Sequence, residues 1–312
     1  MFSQNLLLFI LFVITMENSF AEQQLVSEMK SVIESQYIQI GDVNVHYLTA
    51  PTSVIGEEGK SSPVILIHGL GAFAETWIYN ILPLSKKFCV YAPDVVGFGH
   101  SDKPDVIYSL AYFVNFLEDF MDALSIERAS IVGNSMGGLI ALSFALEHPE
   151  RVDKLVLVDN AGFGKKVSWG LRLLTLPLIG KLLTAKTSKS GIKRGLSGSF
   201  YNSKFVTDEW VEKAYAISRL PGSKRTFLAT LRSGVGILGL KREAILLDKL
   251  PQLQVPTLIV WGKEDKVISV SQAYAAFKKI PKAQLHIFEK CGHAPQVEKA
   301  EEFNRVVSEF LI

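Results

Sequence analysis

The chain has 312 residues, of which 48% are hydrophobic and 21% are charged, and its formal net charge is +2 at pH 7. A chain of this length can bury a large core, either as one α/β domain or as a domain with an insertion. The small net charge and the mixed order of acidic and basic residues exclude a basic field that would attract nucleic acid. The sequence contains no zinc-type Cys/His spacing, Walker loop, dinucleotide fingerprint or internal repeat.

The N-terminus carries a short apolar segment. Residues 6–14 are uninterrupted apolar residues, and Ser19 and Ala21 are small residues of the kind that a signal peptidase reads. The run is shorter than the roughly 20 residues that cross a bilayer. Residues 1–21 are therefore predicted to be an export signal, which implies a periplasmic or secreted protein. An uncleaved membrane anchor is the alternative.

The elements that follow predict a sheet of buried strands. A helical pattern over 22–35 precedes a hairpin over 37–48, and residues 64–67 form a continuous apolar run that is typical of a parallel strand buried on both faces. Alternation of strands and helices then continues. Further strands are predicted around Ile131 and Val132 and at 88–92, 154–158, 257–261 and 285–288. Helices are predicted to end near Lys86 and to cover 110–124, with Ser109 as the N-cap, and 139–146, 272–280 and 300–311.

This alternation predicts an α/β fold with a doubly wound, mostly parallel sheet. The core of the fold covers residues 22–160 and 251–312. Residues 161–250 interrupt the alternation after the sixth strand and hold helix-like pieces but no clear strand. We therefore expect a helical lid over the carboxyl ends of the strands, where open α/β sheets bind ligands.

One short motif indicates a nucleophile. An apolar run meets Gly133-Asn134-Ser135-Met136-Gly137, and a helix-forming run follows at once. Glycine is needed two positions to either side of the serine because a turn this sharp leaves no room for Cβ atoms there. The helix directs its N-terminal N–H groups at the point where an oxyanion would form. Ser135 is the candidate nucleophile, and a Gly/Ser turn without chemistry is the alternative.

A nucleophilic serine needs a base, and the base needs an acid that orients it. Of the six histidines, His293 alone lies both after a predicted strand and late in the chain order Ser, Asp, His. Asp265 lies in the loop after the preceding strand and is the favoured acid. Its neighbour Glu264, and Asp159 at the end of an earlier strand, remain alternatives.

Two backbone N–H groups are expected to form the oxyanion hole. One belongs to Met136, which follows the nucleophile, and the other to Leu70, in the glycine-rich loop after the first buried strand. No metal and no organic cofactor is expected.

Five motifs, taken together, are typical of one family. They are His68-Gly69-Leu70-Gly71 with Trp77, Asp94-x-x-Gly97-x-Gly99-x-Ser101, Gly133-Asn134-Ser135-Met136-Gly137-Gly138, Gly262-x-x-Asp265 and Gly292-His293. Over residues 37–312 the chain resembles the α/β-hydrolase fold superfamily. The resemblance implies that Ser135 is the nucleophile, His293 the base and Asp265 the orienting acid, with oxyanion donors at Leu70 and Met136. Epoxide hydrolases and haloalkane dehalogenases of this fold use an aspartate as nucleophile instead.

Within the superfamily, the chain is most similar to meta-cleavage-product hydrolases, which cut a carbon–carbon bond in dienoates from aromatic ring opening. Those enzymes commonly carry a tryptophan directly after the histidine, where this chain has Ala294. They also use a lid arginine for the substrate carboxylate, and the region around Ala214 offers none. Because of these two departures, carbon–carbon cleavage is an alternative here and not the first expectation.

The lid suggests a different substrate. Residues 161–207 contain nine basic residues and no acidic one, interleaved with Trp169 and many leucines. Such a segment fits an anionic membrane surface, as in lipolytic enzymes of this fold. Solvated lysines above an apolar face that packs on the core are the alternative.

The sequence therefore predicts a serine hydrolase that cleaves carboxylic esters, apolar or lipid-type, through an acyl-enzyme. Its expected partners are a small-molecule ester or lipid and, through the basic lid, a membrane surface; nucleic acid is not expected. The alternatives are hydrolysis of ring-cleavage dienoates at a carbon–carbon bond, and a non-catalytic binding protein on the same fold.

Overall fold

The computed structural model describes residues 32–50, 62–185 and 187–312. The predicted export signal at 1–21, and most of the predicted helix over 22–35, lie outside the described residues, so the expected localisation stays a prediction. Among the described residues, no helix combines the length and the apolar character needed to cross a membrane.

The strands of the described residues are β1 (Glu34–Ile40), β2 (Val43–Thr49), β3 (Pro63–Ile67), β4 (Cys89–Pro93), β5 (Ala129–Asn134), β6 (Val152–Val158), β7 (Val235–Gly236), β8 (Gly239–Leu240), β9 (Thr257–Gly262) and β10 (Gln284–Phe288). Eight of them form one central sheet, in the order β1-β2-β4-β3-β5-β6-β9-β10. β1 and β2 are antiparallel to their neighbours, and the others run parallel, which confirms the predicted doubly wound, mostly parallel sheet.

The inner strands are apolar on both faces because each face of the sheet is covered by its own core. Successive side chains of a strand point to opposite faces. In β3, Ile65 and Ile67 belong to one hydrophobic cluster, and Val64 and Leu66 belong to the other. The continuous apolar run in the sequence is thus the mark of a doubly covered strand.

Helices cover both faces of the sheet. The predicted N-cap at Ser109 is confirmed, since its side chain accepts the N–H of Tyr112 at 3.2 Å. The helices of the core are α1 (Ile78–Ser85), α2 (Leu110–Ala123), α3 (Met136–Glu147), α9 (Ser271–Phe277), α10 (Pro295–Glu298) and α11 (Ala300–Leu311), and those between β6 and β9 are α4 (Trp169–Leu174), α5 (Pro177–Ala185), α6 (Lys189–Ser199), α7 (Asp208–Ser218) and α8 (Ser223–Gly234).

The insertion after β6 is helical, as predicted, with one addition. β7 and β8 pair antiparallel around the turn at Ile237 and Leu238, so the expectation that this segment holds no strand is wrong. Each of these strands has two residues, which is too short for the alternation that identifies a strand in a sequence. We keep the name lid for residues 161–250.

Candidate active site

Ser135 lies at the turn between β5 and α3, in a strained backbone conformation. Its φ is 57° and its ψ is −115°, a region that residues with a side chain rarely occupy. Its N–H donates to the carbonyl of Val158 at 2.8 Å, and its carbonyl accepts the N–H groups of Leu139 and Ala161, each at 3.1 Å. These bonds hold the residue at the apex of the turn, beside the start of α3.

The glycines around Ser135 are required by close backbone contacts. A Cβ atom on Gly133 would lie 2.4 Å from the carbonyl oxygen of Gly137, and one on Gly137 would lie 2.3 Å from that of Ile67. Both distances are far inside van der Waals contact. The close approach of α3 to β3 and β5 therefore depends on glycine at both positions.

His293 and Asp265 form a buried hydrogen-bonded pair. Nδ1 of His293 lies 2.7 Å from Oδ2 of Asp265. Oδ1 of Asp265 accepts the N–H groups of Val267 at 2.7 Å and Ile268 at 3.0 Å. Because a carboxylate with these N–H donors only accepts, Nδ1 of His293 is the donor of the pair. Nε2 of the neutral ring then keeps a lone pair that can receive a proton.

Ser135 and His293 line the same cavity of about 170 Å³. Leu70 lies in its wall, and Met136 is the first residue of α3, so its N–H is among those that have no acceptor within the helix. The structure thus brings together the residues that the sequence proposed as nucleophile, base and oxyanion donors, with Asp265 behind the histidine. Their catalytic roles remain proposals.

The loop that carries Leu70 is held by His68. Nδ1 of His68 lies 2.8 Å from the carbonyl oxygen of Gly69, and Nε2 accepts the N–H of Val95 at 3.0 Å. Burial lowers the pKa of His68 below its ordinary value. The neutral ring therefore donates from Nδ1 and accepts at Nε2, which joins the oxyanion loop to the end of β4.

The two alternative acids occupy different positions. Oε2 of Glu264 accepts the N–H of Cys291 at 2.9 Å, so Glu264 anchors the loop before the histidine. Asp159 is fully buried, and its Oδ1 accepts the N–H of Gly262 at 3.1 Å. Nδ1 of His293 donates to Asp265, which is the acid that the sequence favoured.

One group among the described residues has the spacing of a metal site. Single ligand atoms of Asp159, Asp265 and His293 lie within 4.8 Å of one another. Nδ1 of His293 already carries a proton that it donates to Asp265, and Oδ1 of Asp265 is taken by two N–H groups. This donor set suits an acid–base pair better than a cation.

Sequence reasoning missed Glu298, which ties the lid to the histidine loop. Its Oε1 accepts the N–H of Gly292 at 2.6 Å, and its Oε2 accepts the N–H groups of Tyr201 at 2.9 Å and Asn202 at 3.0 Å. The N–H of His293 itself donates to the carbonyl of Ser199 at 2.7 Å, at the end of α6. The only local signal was an acidic residue in a short helix after the histidine.

Comparison with known proteins places these features in a family. The model of the α/β-hydrolase fold family matches residues 62–300. A 2-hydroxymuconate semialdehyde hydrolase of Pseudomonas sp. (strain CF600) is 34% identical over 261 residues, which cover 82% of this chain and 88% of the relative. The solved structure of a meta-cleavage product hydrolase from Pseudomonas fluorescens IP01 is 35% identical, with a TM-score of 0.73, and the match covers 88% of this chain and 97% of that chain.

A third solved structure, a bacterial membrane phospholipase A, is 25% identical with a TM-score of 0.72, and the match covers 99% of this chain and 98% of that chain. The two relatives of higher identity are hydrolases of 2-hydroxymuconate semialdehyde and of a meta-cleavage product, and neither is named as an esterase or a lipase. The expected preference for carboxylic esters is therefore wrong, and the alternative is favoured. The ester expectation rested on the composition of the lid, whereas a Ser-His-Asp site can attack either an ester or a ketone carbonyl.

Proposed function

The chain belongs to the α/β-hydrolase fold family, and we propose that it hydrolyses a carbon–carbon bond in a dienoate of the kind that aromatic ring cleavage produces. The observation that carries this proposal is the identity of 34% to 35% with ring-cleavage-product hydrolases, over more than four fifths of the chain. The pairing of His293 with Asp265 beside Ser135 supplies the groups that such a reaction needs.

In the proposed reaction, Nε2 of His293 takes the proton of the Ser135 hydroxyl while Oγ bonds to the ketone carbon of the substrate. The N–H groups of Leu70 and Met136 receive the oxyanion. For the electron pair to be delocalised, the enol hydroxyl proton of the dienoate first moves to the carbon next to the ketone, which gives the keto tautomer. Collapse of the adduct then breaks the carbon–carbon bond, and the electron pair passes as a dienolate into the carbonyl group formed from that enol. His293 returns the proton to the dienolate. Water, deprotonated by His293, then hydrolyses the acyl-enzyme and releases a carboxylic acid.

The walls of the cavity favour a substrate with an apolar substituent on the ketone. The rings of Phe73 and Trp210 lie 5.7 Å apart, and those of Phe200 and Phe205 lie 6.3 Å apart; all four residues line the cavity. Among the described residues that line it, none is a lysine or an arginine. We therefore propose that an aryl or alkyl group lies against these rings.

The two departures noted in the sequence both fall on the cavity wall, which includes Ala294 and Ala214. A methyl group at each position leaves space that a tryptophan or an arginine would occupy. We propose that this space admits a bulkier ketone substituent, and that the neutral amide of Gln296, whose Oε1 has no hydrogen-bond partner among the described residues, holds the polar end of the substrate.

The test measures kcat/KM of the full-length chain for ring-cleavage dienoates that carry hydrogen, methyl or phenyl on the ketone. The same constant is measured for p-nitrophenyl esters of two to sixteen carbons. We expect the dienoates to be the better substrates, with phenyl above hydrogen, and Ser135→Ala to lose activity by about 10⁴-fold or more. Ester turnover that exceeds every dienoate rate by tenfold would contradict the proposal.

We further propose that the lid contacts an anionic membrane surface. In α5, Leu178 and Leu182 are one turn apart and are 84% and 75% exposed, and Leu238 in the β7–β8 turn is 70% exposed. Such side chains do not pack on the core. A structural neighbour of 25% identity is a membrane phospholipase A, which also supports the proposal.

The charge of the lid supports the same partner. Residues 161–207 of the lid carry nine basic side chains and no acidic one. Two of these cations are partly neutralised, because Lys189 pairs with Glu212 and Lys193 pairs with Asp208, both of α7. The guanidinium of Arg172 stacks on Trp169 at 3.7 Å from the ring centre, and its Nε donates to the carbonyl of Ile237 at 2.7 Å, in the turn that carries the exposed Leu238. Basic side chains beside an apolar surface favour anionic lipids, to which each cation contributes about 1 kcal/mol.

The test sediments the full-length chain with phosphatidylglycerol and with phosphatidylcholine vesicles. We expect the double variant Leu178→Ser/Leu182→Ser to bind anionic vesicles about tenfold less than the wild type, because two insertion points are lost. Ile107→Ser is the matched control, since Ile107 is also 84% exposed but lies outside the lid. Equal losses in both variants, or no loss in the lid variant, would refute the contact.

A further inference from the structure

Asp159 is a buried acid at the same end of the sheet as Asp265, and the reaction proposed above does not use it. It follows β6, and Asp265 follows β9, the neighbouring parallel strand. Asp159 has no solvent exposure, and its N–H donates to the carbonyl of Val260 at 3.0 Å. Its backbone φ is 44°, the left-handed region that strains a residue with a side chain.

The two oxygens of Asp159 have different surroundings. Oδ1 accepts the N–H of Gly262 at 3.1 Å, while Oδ2 is buried without a hydrogen-bond partner among the described residues. An oxygen of Asp159 also lies within 4.8 Å of both a carboxylate oxygen of Asp265 and a ring nitrogen of His293. Burial of a charged oxygen without a hydrogen-bond partner costs free energy, and this cost is smaller when the carboxyl group is protonated.

Two buried carboxyl groups this close cannot both be charged. Asp265 accepts three N–H donors, from Val267, Ile268 and His293, and is the one that stays ionised. Asp159 has one donor and therefore keeps the proton. Burial first, and the charge of Asp265 second, raise the pKa of Asp159 well above its usual value.

The other titratable groups around Asp159 act in the same direction. The carboxylate of Glu298 also raises the pKa of Asp159. Burial raises the pKa of the nearby Cys291 thiol, which is therefore neutral and brings no compensating charge. Among the groups that the described residues place beside Asp159, the imidazole of His293 can become a cation, and this imidazolium is the species that a catalytic acid must stabilise.

We propose that Asp159 and Asp265 form a two-carboxyl acid for His293, in which Asp159 holds the single proton while Asp265 carries the charge. When Asp265 is neutralised, Asp159 ionises and compensates the imidazolium in its place. Asp159 is thus a positioning residue, which keeps the total charge of the two carboxyl groups beside His293 at −1. The proposal rests on the catalytic roles assigned to Ser135 and His293, but on no particular substrate.

The test uses a fluorophosphonate that labels Ser135, so that it is independent of the proposed carbon–carbon cleavage. Oγ bonds to phosphorus, the phosphorus–fluorine bond breaks, fluoride leaves, and the serine proton passes to His293. We expect Asp265→Asn to slow labelling about 10²-fold and Asp265→Asn/Asp159→Asn to slow it at least tenfold more. The matched control is Asp265→Asn/Asp42→Asn, in which the second change removes an exposed carboxyl group in the turn between β1 and β2; this variant should label like Asp265→Asn alone.

The pH dependence separates this role from a structural one. A carboxyl with a raised pKa ionises only as pH rises, so the ratio of labelling rates between Asp265→Asn and the double variant should grow with pH. A ratio of one at every pH from 5 to 9 would overturn the proposal.

An infrared difference spectrum between the wild type and Asp159→Asn at pH 7 is the second measurement, and needs no labelling. The wild type should show one protonated-carboxyl carbonyl band that the variant lacks. Absence of that band would also overturn the proposal.

Discussion

The two sides of the active-site cavity are built in different ways. On the core side, α3 buries nine of its residues, from Gly137 to Ala145, and the strand ends fix Ser135, Asp265 and His68 by backbone hydrogen bonds. On the lid side, α4 and α6 bury no residue at all, and α5 buries only Gly180. The geometry of the candidate site therefore depends on buried backbone, whereas these helices of the lid carry side chains that are free to vary.

The two sides meet at the loop that carries His293. Ser199, Tyr201 and Asn202 of the lid share hydrogen bonds with His293 and Glu298 of the core. A change in the lid can therefore displace His293 without a change in the sheet.

The largest effect is expected on the core side, from Gly137→Ala. The new Cβ would lie 2.3 Å from the carbonyl oxygen of Ile67, so the start of α3 must move away from β3. We expect a loss of about 3 kcal/mol in the free energy of unfolding, together with a fall in kcat/KM of at least about 100-fold. Urea unfolding and steady-state kinetics measure both. Gly195→Ala in the lid is the control, since its Cβ would meet nothing within 4 Å.

Glu298→Gln should show how strongly the two sides are coupled. In glutamine, an NH2 group that cannot accept a hydrogen bond replaces one of the two carboxylate oxygens. Either the N–H of Gly292 or the N–H groups of Tyr201 and Asn202 therefore lose their acceptor, and the remaining oxygen carries no charge. We expect a loss of about 2 kcal/mol in the free energy of unfolding and a fall in kcat/KM of about tenfold. Glu301→Gln, an exposed acid in the same region, should change neither quantity. Equal behaviour of the two variants would show that the lid and the histidine loop are independent.

The pH dependence of stability should report His68 on the core side. Burial lowers the pKa of His68 in the folded state below its ordinary value of 6.5. The unfolded chain therefore binds the proton first, and stability is complete above about pH 6.5 and falls as pH drops toward the folded-state value. The slope from this group is up to about 1.4 kcal/mol per pH unit. Thermal unfolding of His68→Gln between pH 7 and 5 should show a shallower slope than the wild type, and an unchanged slope would contradict the assignment.

The smallest effect is expected in the lid. Leu182→Ala removes a side chain that is 75% exposed and should change the free energy of unfolding by less than about 0.5 kcal/mol. Leu155→Ala, the same substitution at a fully buried position of β6, should cost about 3 kcal/mol. Chemical unfolding of both variants compares the two sides directly. A cost above about 1 kcal/mol at Leu182 would mean that this leucine is covered in solution.

The sequence predicted most of the core for a local reason. The buried strands, the glycines at 133 and 137 and the N-cap at Ser109 each depend on residues close together in the chain, and the structure confirms them. The sequence favoured Asp265 over Asp159 and Glu264 but could not exclude these two, because each follows or borders a strand end. The pairing of β6 with β9, and the direction of the loop after β9, decide which carboxylate reaches Nδ1 of His293.

The substrate preference was predicted less well from the sequence than the fold was. The lid composition predicted an ester, whereas relatives of 34% to 35% identity act on ring-cleavage products. The same serine, base and oxyanion donors can attack either carbonyl, so the nucleophile motif carries no information about the bond that breaks.

By itself, the sequence determined the parallel sheet and the sharp turn at Ser135, because hydrophobic period and turn geometry are properties of short segments. Only the tertiary structure decided that Asp159 lies beside Asp265, that Glu298 joins the lid to the histidine loop, and that Leu178 and Leu182 face outward. These three features arise where distant segments meet, and their energies depend on burial and distance, which no single segment encodes.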